Sequence, residues 1–150
     1  MIFVTVGTTL PFDDLIRAMD DIVTSTKVKE KVICQIGSGE YLPQNCEYFR
    51  YTPKLDDFID SASIVIGHGG TGTVLSLLSS GKPFVAVANP LGADDHQAQF
   101  LKRLEQAATI LWTRDLSQLP QLILRARHHR LESRPGLRLA DDLINFIDDL

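Results

Sequence analysis

The stretch "IGHGGTGTVLSLLSSGKPFVAVANPLGADDHQAQF", Ile66–Phe100, places four glycines (Gly67, Gly69, Gly70, Gly72) within seven positions. A ten-residue helical pattern follows, Thr71–Ser80, with Gly81-Lys82-Pro83 as its stop: glycine at the C-cap and proline just beyond. Next come a short apolar run, Phe84–Ala88, and a second polar turn ending in Asp94-Asp95-His96-Gln97, from which another helical pattern runs, His96–Gln106. Strand, turn, helix, strand, turn, helix within so few residues is the signature of an α/β fold with a parallel sheet.

Outward from this stretch the alternation continues. Upstream, Ile2–Val6 reads as a buried strand, Phe12–Thr24 as an amphipathic helix, Lys31–Ile36 as a strand closed by Gly37-Ser38-Gly39, Tyr48–Tyr51 as a short strand, Leu55–Ser61 as a helix and Ser63–Ile66 as a strand. Downstream, Thr109–Trp112 reads as a strand, and Leu116–His128 and Leu137–Leu150 as helices separated by Ser133-Arg134-Pro135-Gly136. The expected architecture is α/β: a doubly wound, Rossmann-like parallel sheet of about six strands in one domain over residues 1–150, with no repeat or linker.

Composition narrows the class. With 44% hydrophobic and 23% charged residues and a formal net charge of -4, the chain reads as a soluble globular domain and not as a nucleic-acid binder. Cys34 and Cys46 have no histidine nearby at metal-ligand spacing and read as reduced thiols, Cys34 in the core. No apolar run approaches the roughly twenty residues of a membrane span, and the opening "MIFVTVG" is strand-like, not a secretory signal. The expected compartment is the cytoplasm.

The glycine-rich turn lies between a strand and a helix at the carboxyl edge of the sheet, where open α/β sheets bind ligands. Unpaired N–H groups and the positive dipole end of the helix suit a diphosphate, and Thr71 and Thr73 add hydroxyls. A tight turn with glycines needed only for packing has the same composition, so glycine content alone does not decide. The pattern is neither a Walker loop nor Gly-x-Gly-x-x-Gly. A second such turn, Gly7-Thr8-Thr9, ends the first strand, and Asp94, Asp95, His96 and Gln97 reach the same rim. Asp94 reads as a helix cap; Gln97 reads as a sugar-hydroxyl contact.

Four segments, "FVTVGTTLPFDDLI", "QIGSGEYLP", "YFRYTPKLDDFIDSASIVIGHGGTGTVLSLLSSGKPFVAVANP" and "DDHQAQFLKRL", resemble in that order the soluble subunits of bipartite UDP-N-acetylglucosamine transferases acting on dolichol-linked acceptors. They resemble even more their bacterial counterparts in exopolysaccharide synthesis. The wider group is the glycosyltransferase family 28 C-terminal domain, the nucleotide-sugar-binding half of a GT-B fold. The resemblance runs from residue 2 to about residue 112, and more loosely to the end.

It implies a donor-binding set of Gly69, Gly70, Thr71, Gly72, Thr73 and Ser76 for the diphosphate and ribose, Tyr51 and Thr52 for the uracil edge, and Asp95, His96 and Gln97 for the donor sugar. Gly7, Thr8 and Thr9 would face the acceptor. His68 either touches phosphate or is a structural histidine bonded to backbone. Ser76 stands where the family has a glutamate for the ribose hydroxyls: either Glu40 or another residue takes that role, or donor affinity is weak, or the nucleotide differs. The resemblance further implies an inverting transfer with no metal and no cofactor, completed by a membrane-anchored partner subunit that holds a lipid-linked saccharide acceptor on the cytoplasmic face of the membrane.

The last helix, 137–150, carries seven large apolar residues and is expected to dock on that partner. The basic stretch Arg125–Arg138 reads either as a solvated face or as a surface for an anionic membrane or acidic partner. A non-catalytic nucleotide-sugar-binding module is the competing reading. A Rossmann-like oxidoreductase is disfavoured because the first strand leads into Gly7-Thr8-Thr9.

Overall fold

A computed structural model describes residues 1–26, 28–91 and 95–128. The expected docking helix 137–150, most of the basic stretch 125–138 and Asp94 lie outside the described residues.

Among the described residues six strands and five α-helices follow one another, with a helix after every strand but β2. They are β1 (Ile2–Thr5), α1 (Asp13–Ser25), β2 (Val32–Gln35), β3 (Glu47–Phe49), α2 (Leu55–Ser61), β4 (Ile64–His68), α3 (Thr71–Ser80), β5 (Phe84–Val87), α4 (His96–Leu104), β6 (Leu111–Thr113) and α5 (Leu119–Ala126). Every strand pair is parallel, in the order β3-β2-β1-β4-β5-β6. This is the doubly wound order, whose topological switch falls between β1 and β4.

Side chains alternate across the strands, so each residue is committed to one layer. Ile2, Val4, Ile64, Ile66, Val85 and Val87 pack under α1 and α5. Phe3, Val65, Phe84 and Ala86 pack on the other face with residues of α2, α3 and α4. Both faces being covered explains why the strands read as unbroken apolar runs. Phe3 is fully buried and stacks on Phe58 of α2 at 5.3 Å between centroids, and Phe58 meets Phe49 of β3 at 4.8 Å. These contacts fasten the short α2 to the sheet. Lys82 of the Gly-Lys-Pro stop closes the other end of α2, its Nζ donating to the carbonyls of Asp60 at 2.6 Å and Ala62 at 3.1 Å.

Most element bounds move by one or two residues from the sequence reading, and three of the shifts bear on the structure. β3 lies nearer the N-terminus than Tyr48–Tyr51, at Glu47–Phe49. Beyond it Arg50 turns back to donate to the carbonyls of Gly37 and Gly39, at 2.9 and 2.8 Å. β4 continues through Gly67 to His68, paired with β5. The helix expected from Leu116 begins as a 3-10 turn, Leu116–Gln118, before α5. Pro120 has no N–H, and its ring crowds the carbonyl four residues back, so the α-ladder starts with Pro120 in its first turn.

Cys34 is buried in the core, Cys46 is partly exposed, and both are free. Hydrogen bonding between the two thiols, with burial, raises Cys34 and, through the same bond, lowers Cys46. Asp20 is 2% exposed and ties α1 to the chain before β3, accepting from Tyr41 Oη at 2.7 Å and from the amides of Gln44 and Asn45 at 3.0 and 2.7 Å.

Candidate functional site

At the β1/β4 switch the loops diverge and leave a cleft of about 580 Å³. That is a size ordinary for a small-molecule site. Its walls are the β1–α1 loop (Gly7, Thr8, Thr9, Leu10), the end of β4 and start of α3 (His68, Gly70, Thr71, Gly72, Thr73, Ser76), the α2 face (Leu55, Asp56, Ile59), and Gln35 and Gln97.

The α3 end is prepared for an anion. Gly70 occupies the N-cap with no side-chain cap, and the first turn holds no acidic residue. By contrast, α1 carries Asp13 and Asp14 in its first turn, and α2 carries Asp56 and Asp57. The positive end of the α3 dipole is therefore uncompensated by its own side chains and opens on the cleft, with orphan N–H groups available. A Cβ built on Gly72 would meet nothing within 4 Å, so that side of the turn is open space.

His68 organises the turn. Its Nδ1 accepts from the Gly70 amide at 3.2 Å and its Nε2 lies 2.9 Å from Thr73 Oγ1. Since Nδ1 is the acceptor, the proton sits on Nε2 and is donated to Thr73. Burial pushes the pKa down from 6.5 to about 4, so the ring is neutral at pH 7. Two glycines clamp it. Gly7, at φ +79°, would place a Cβ 2.4 Å from His68 Nε2, and a Cβ on Gly70 would lie 2.2 Å from Cε1. Gly70 itself has ordinary extended backbone, φ -67° and ψ 140°. Its glycine is demanded by the imidazole, not by a backbone angle. The packing and ligand readings of this turn thus coexist.

Gln97 is a brace. Its Oε1 accepts from the Gly69 and Asn89 amides, both at 2.9 Å, and its Nε2 lies 3.3 Å from His68 Nδ1. Asn89, 2% exposed, donates from Nδ2 to the Pro11 carbonyl at 3.0 Å and accepts from the Leu91 amide at 3.0 Å. Together they join the loops after β1, β4 and β5. Gly69 lies behind the cleft wall, buried against Leu101 and Gln97.

The other residues expected at the site are not among those lining this cleft. Asp95 takes the left-handed conformation at φ 59°, makes no cap hydrogen bond and pairs with Arg114. His96 is exposed and outside the cleft lining. Tyr51, 53% exposed, and Thr52, whose Oγ1 accepts from the Lys54 amide at 3.1 Å, belong to the segment leading into α2. Glu40 does not line the cleft; its amide donates to the Asp13 carboxylate.

Sequence reasoning missed Asp56, Ile59, Gln35 and Asn89. Among the described residues lining the cleft, Asp56 is the single formally charged side chain, and there is no cation. The Asn89-Pro90 pair directly after an apolar strand was a legible turn signal. Asp56 looked like any acid at a helix start.

Among the described residues, no group of three or more His, Cys, Asp or Glu side chains is placed to hold a metal ion, and no helix is long and apolar enough to cross a membrane.

The family described as "Glycosyltransferase family 28 C-terminal domain" matches residues 1–136. Human UDP-N-acetylglucosamine transferase subunit ALG13 is 34% identical over 122 residues, which are 74% of this chain and 11% of that protein. The subunit of the same name from Yarrowia lipolytica is 31% identical over 128 residues, 77% of this chain and 65% of that one. The chain thus spans about a tenth of the human relative and somewhat less than two thirds of the yeast one. The crystal structure of MurG from Acinetobacter baumannii superposes with a TM-score of 0.63 at 18% identity, covering 99% of this chain and 49% of MurG, a likeness of fold.

Proposed function

The chain belongs to the glycosyltransferase family 28 C-terminal domain family, and from that premise we propose that it supplies the donor-binding half of a two-component, inverting, UDP-sugar-dependent glycosyltransferase. The observation that carries the reading is the uncapped, acid-free N-terminus of α3 opening onto a cleft at the β1/β4 switch. In this reading the α3 amides, with the Thr71 and Thr73 hydroxyls, hold the donor diphosphate. They stabilise the charge that develops on it as the glycosidic bond breaks, in place of a metal ion. Gln97 positions the donor-sugar end through the loops it braces. Tyr51 and Thr52 flank the nucleoside end ahead of α2, and Gly7, Thr8 and Thr9 face the acceptor. The names of the two relatives support N-acetylglucosamine as the sugar.

The acceptor half comes from a second subunit. His68 has both ring nitrogens engaged and is neutral, so it is a positioning group and not a free base. The base that deprotonates the acceptor hydroxyl belongs to the partner, which also carries the membrane anchor and a lipid-linked saccharide, in exopolysaccharide or other glycan synthesis. The chain works in the cytoplasm and reaches the membrane through that partner.

Calorimetric titration of UDP and UDP-N-acetylglucosamine into the chain, followed by a transfer assay with and without the partner, tests this. Weak donor binding by the chain alone and transfer only with the partner are expected. No binding of either nucleotide, or robust transfer by the chain alone, overturns the reading.

A further inference from the structure

Away from the cleft, on the side of the sheet covered by α1 and α5, a groove of about 530 Å³ runs between the end of α1 and the length of α5. Ile22, Val28 and Leu124 give it apolar walls, and Lys29, Glu30 and Arg127 a charged rim. Leu124, 63% exposed, is the most exposed large hydrophobic side chain among the described residues. The other apolar residues of its helix, Leu119, Leu122, Ile123 and Ala126, are already buried, so packing on the sheet does not account for it. A single exposed leucine is ordinary, but this one continues an apolar groove. Arg127 pairs with Glu30, which leaves the rim with the positive charge of Lys29.

We propose that this groove holds the chain's own residues 139–150, folded back along α5 as the second arm of a helical hairpin. The sequence of that segment suits the groove. Leu139, Leu143, Phe146, Ile147 and Leu150 follow one another at intervals of four, three, one and three, which is one stripe of a helix. Asp142 and Asp149 flank the stripe on one side, seven residues apart, and Asp141 and Asp148 fall opposite it. The segment is therefore acidic where the groove's rim is basic. From Leu143 to Leu150 the stripe is about 10 Å long, the same as from Pro120 to Arg127 along α5. The connection is also right. The described chain reaches His128, next to Arg127 of the groove, and residues 129–136, with Pro135-Gly136 at their end, lie between. Eight residues are within the usual length of a helix–helix connection, and a short connection sets consecutive helices antiparallel and side by side. A segment so close in sequence also meets a smaller closure entropy than any distant one.

The test is amide hydrogen exchange read by mass spectrometry on the 150-residue chain. Phe146→Asp should speed exchange in α5 and at the end of α1 by about tenfold, and Leu124→Asp should do the same to residues 139–150, with α3 unchanged in both. A water-soluble carbodiimide, which joins an amine to a carboxylate with net loss of water, should link Lys29 to Asp142 or Asp149 within one monomer, and Lys29→Gln should abolish that link. Exchange in 139–150 as fast in the parent as in an unstructured peptide leaves the stripe free for the partner subunit and overturns the proposal. An α5 unaffected by Phe146→Asp overturns it too. Should either variant speed exchange throughout the molecule, the cross-link in the parent decides, and its absence from the monomeric fraction overturns the proposal. A link confined to a dimeric fraction assigns the groove to a second copy of the chain, with the same consequence.

Discussion

Acidification should unlock His68 before it affects the rest of the molecule. The folded-state pKa is about 4, held down by burial, against 6.5 for an unburied ring. As pH falls below 6.5 the unfolded chain takes up a proton that the folded chain refuses. Stability is therefore full above pH 6.5 and declines until pH reaches about 4. A shift of this size corresponds to about 3 kcal/mol in total, of which about 2 kcal/mol is already lost at pH 5. For a domain of this size that is a fall in Tm of about 4–8 °C. Three carboxylates are also lowered, the exposed Asp115 among them by hydrogen bonds from Ser117. Burial raises Asp20, but hydrogen bonds from Tyr41, Gln44 and Asn45 lower it further. Glu30 is lowered by its hydrogen bond from Ser63 and by Arg127. All three contributions are present above the ordinary carboxylate range and vanish only below it, so pH 5–7 isolates the histidine. The assay is urea unfolding of the parent and of His68→Gln at half-unit steps over that window. The parent should lose about 2 kcal/mol more than the variant between pH 7 and pH 5. Equal slopes, or an NMR titration placing His68 above pH 6, would refute the buried neutral imidazole.

Gln97→Ala leaves the Gly69 and Asn89 amides without their acceptor and should cost about 2–4 kcal/mol in urea unfolding; a cost below about 0.5 kcal/mol would mean that the brace is dispensable. Gly72→Ala should keep or raise stability by up to about 1 kcal/mol, since the site has room and alanine favours helix, yet weaken UDP binding several-fold in calorimetry because the methyl enters open space at the α3 terminus. Tighter binding by that variant would move the diphosphate elsewhere. Chelation with excess EDTA should leave UDP affinity unchanged, and restoration of lost affinity by a divalent cation would contradict a phosphate site built from amides and hydroxyls.

The sequence made the order of elements legible because parallel strands covered on both faces leave apolar runs, and because glycine and proline punctuate them. α3 could be bounded at Thr71–Ser80 since both its ends are marked in the chain itself, by Gly70 and by Gly81. β3 was harder: three residues on a sheet edge, half exposed, carry little periodic signal. The rim glycines and threonines were found through their place after strands. What Gln97 and His68 do was not legible, because each depends on partners brought together only by the fold. Gln97 bonds an amide 28 residues away, and His68 is clamped by a glycine from the first loop. Asp56 was hidden for a different reason. An acid in a first turn needs no ligand to explain it, and only the packing of α2 opposite α3 shows which of two neighbouring exposed aspartates borders the cleft.

The way α2 is fastened divides the cleft into two parts with different freedom to change. One wall is a truss: Gln97 and Asn89 knit three loops, so an alteration in any of them disturbs the other two. The opposite wall is a seven-residue helix held from behind by Phe58 and at its end by Lys82, leaving Leu55, Asp56 and Ile59 to line the cleft. Mutational drift or deliberate redesign can therefore alter the α2 wall while the braced wall stays constant. A library at Leu55 and Asp56, sparing the buried Ile59, is the economical place to seek altered ligand preference.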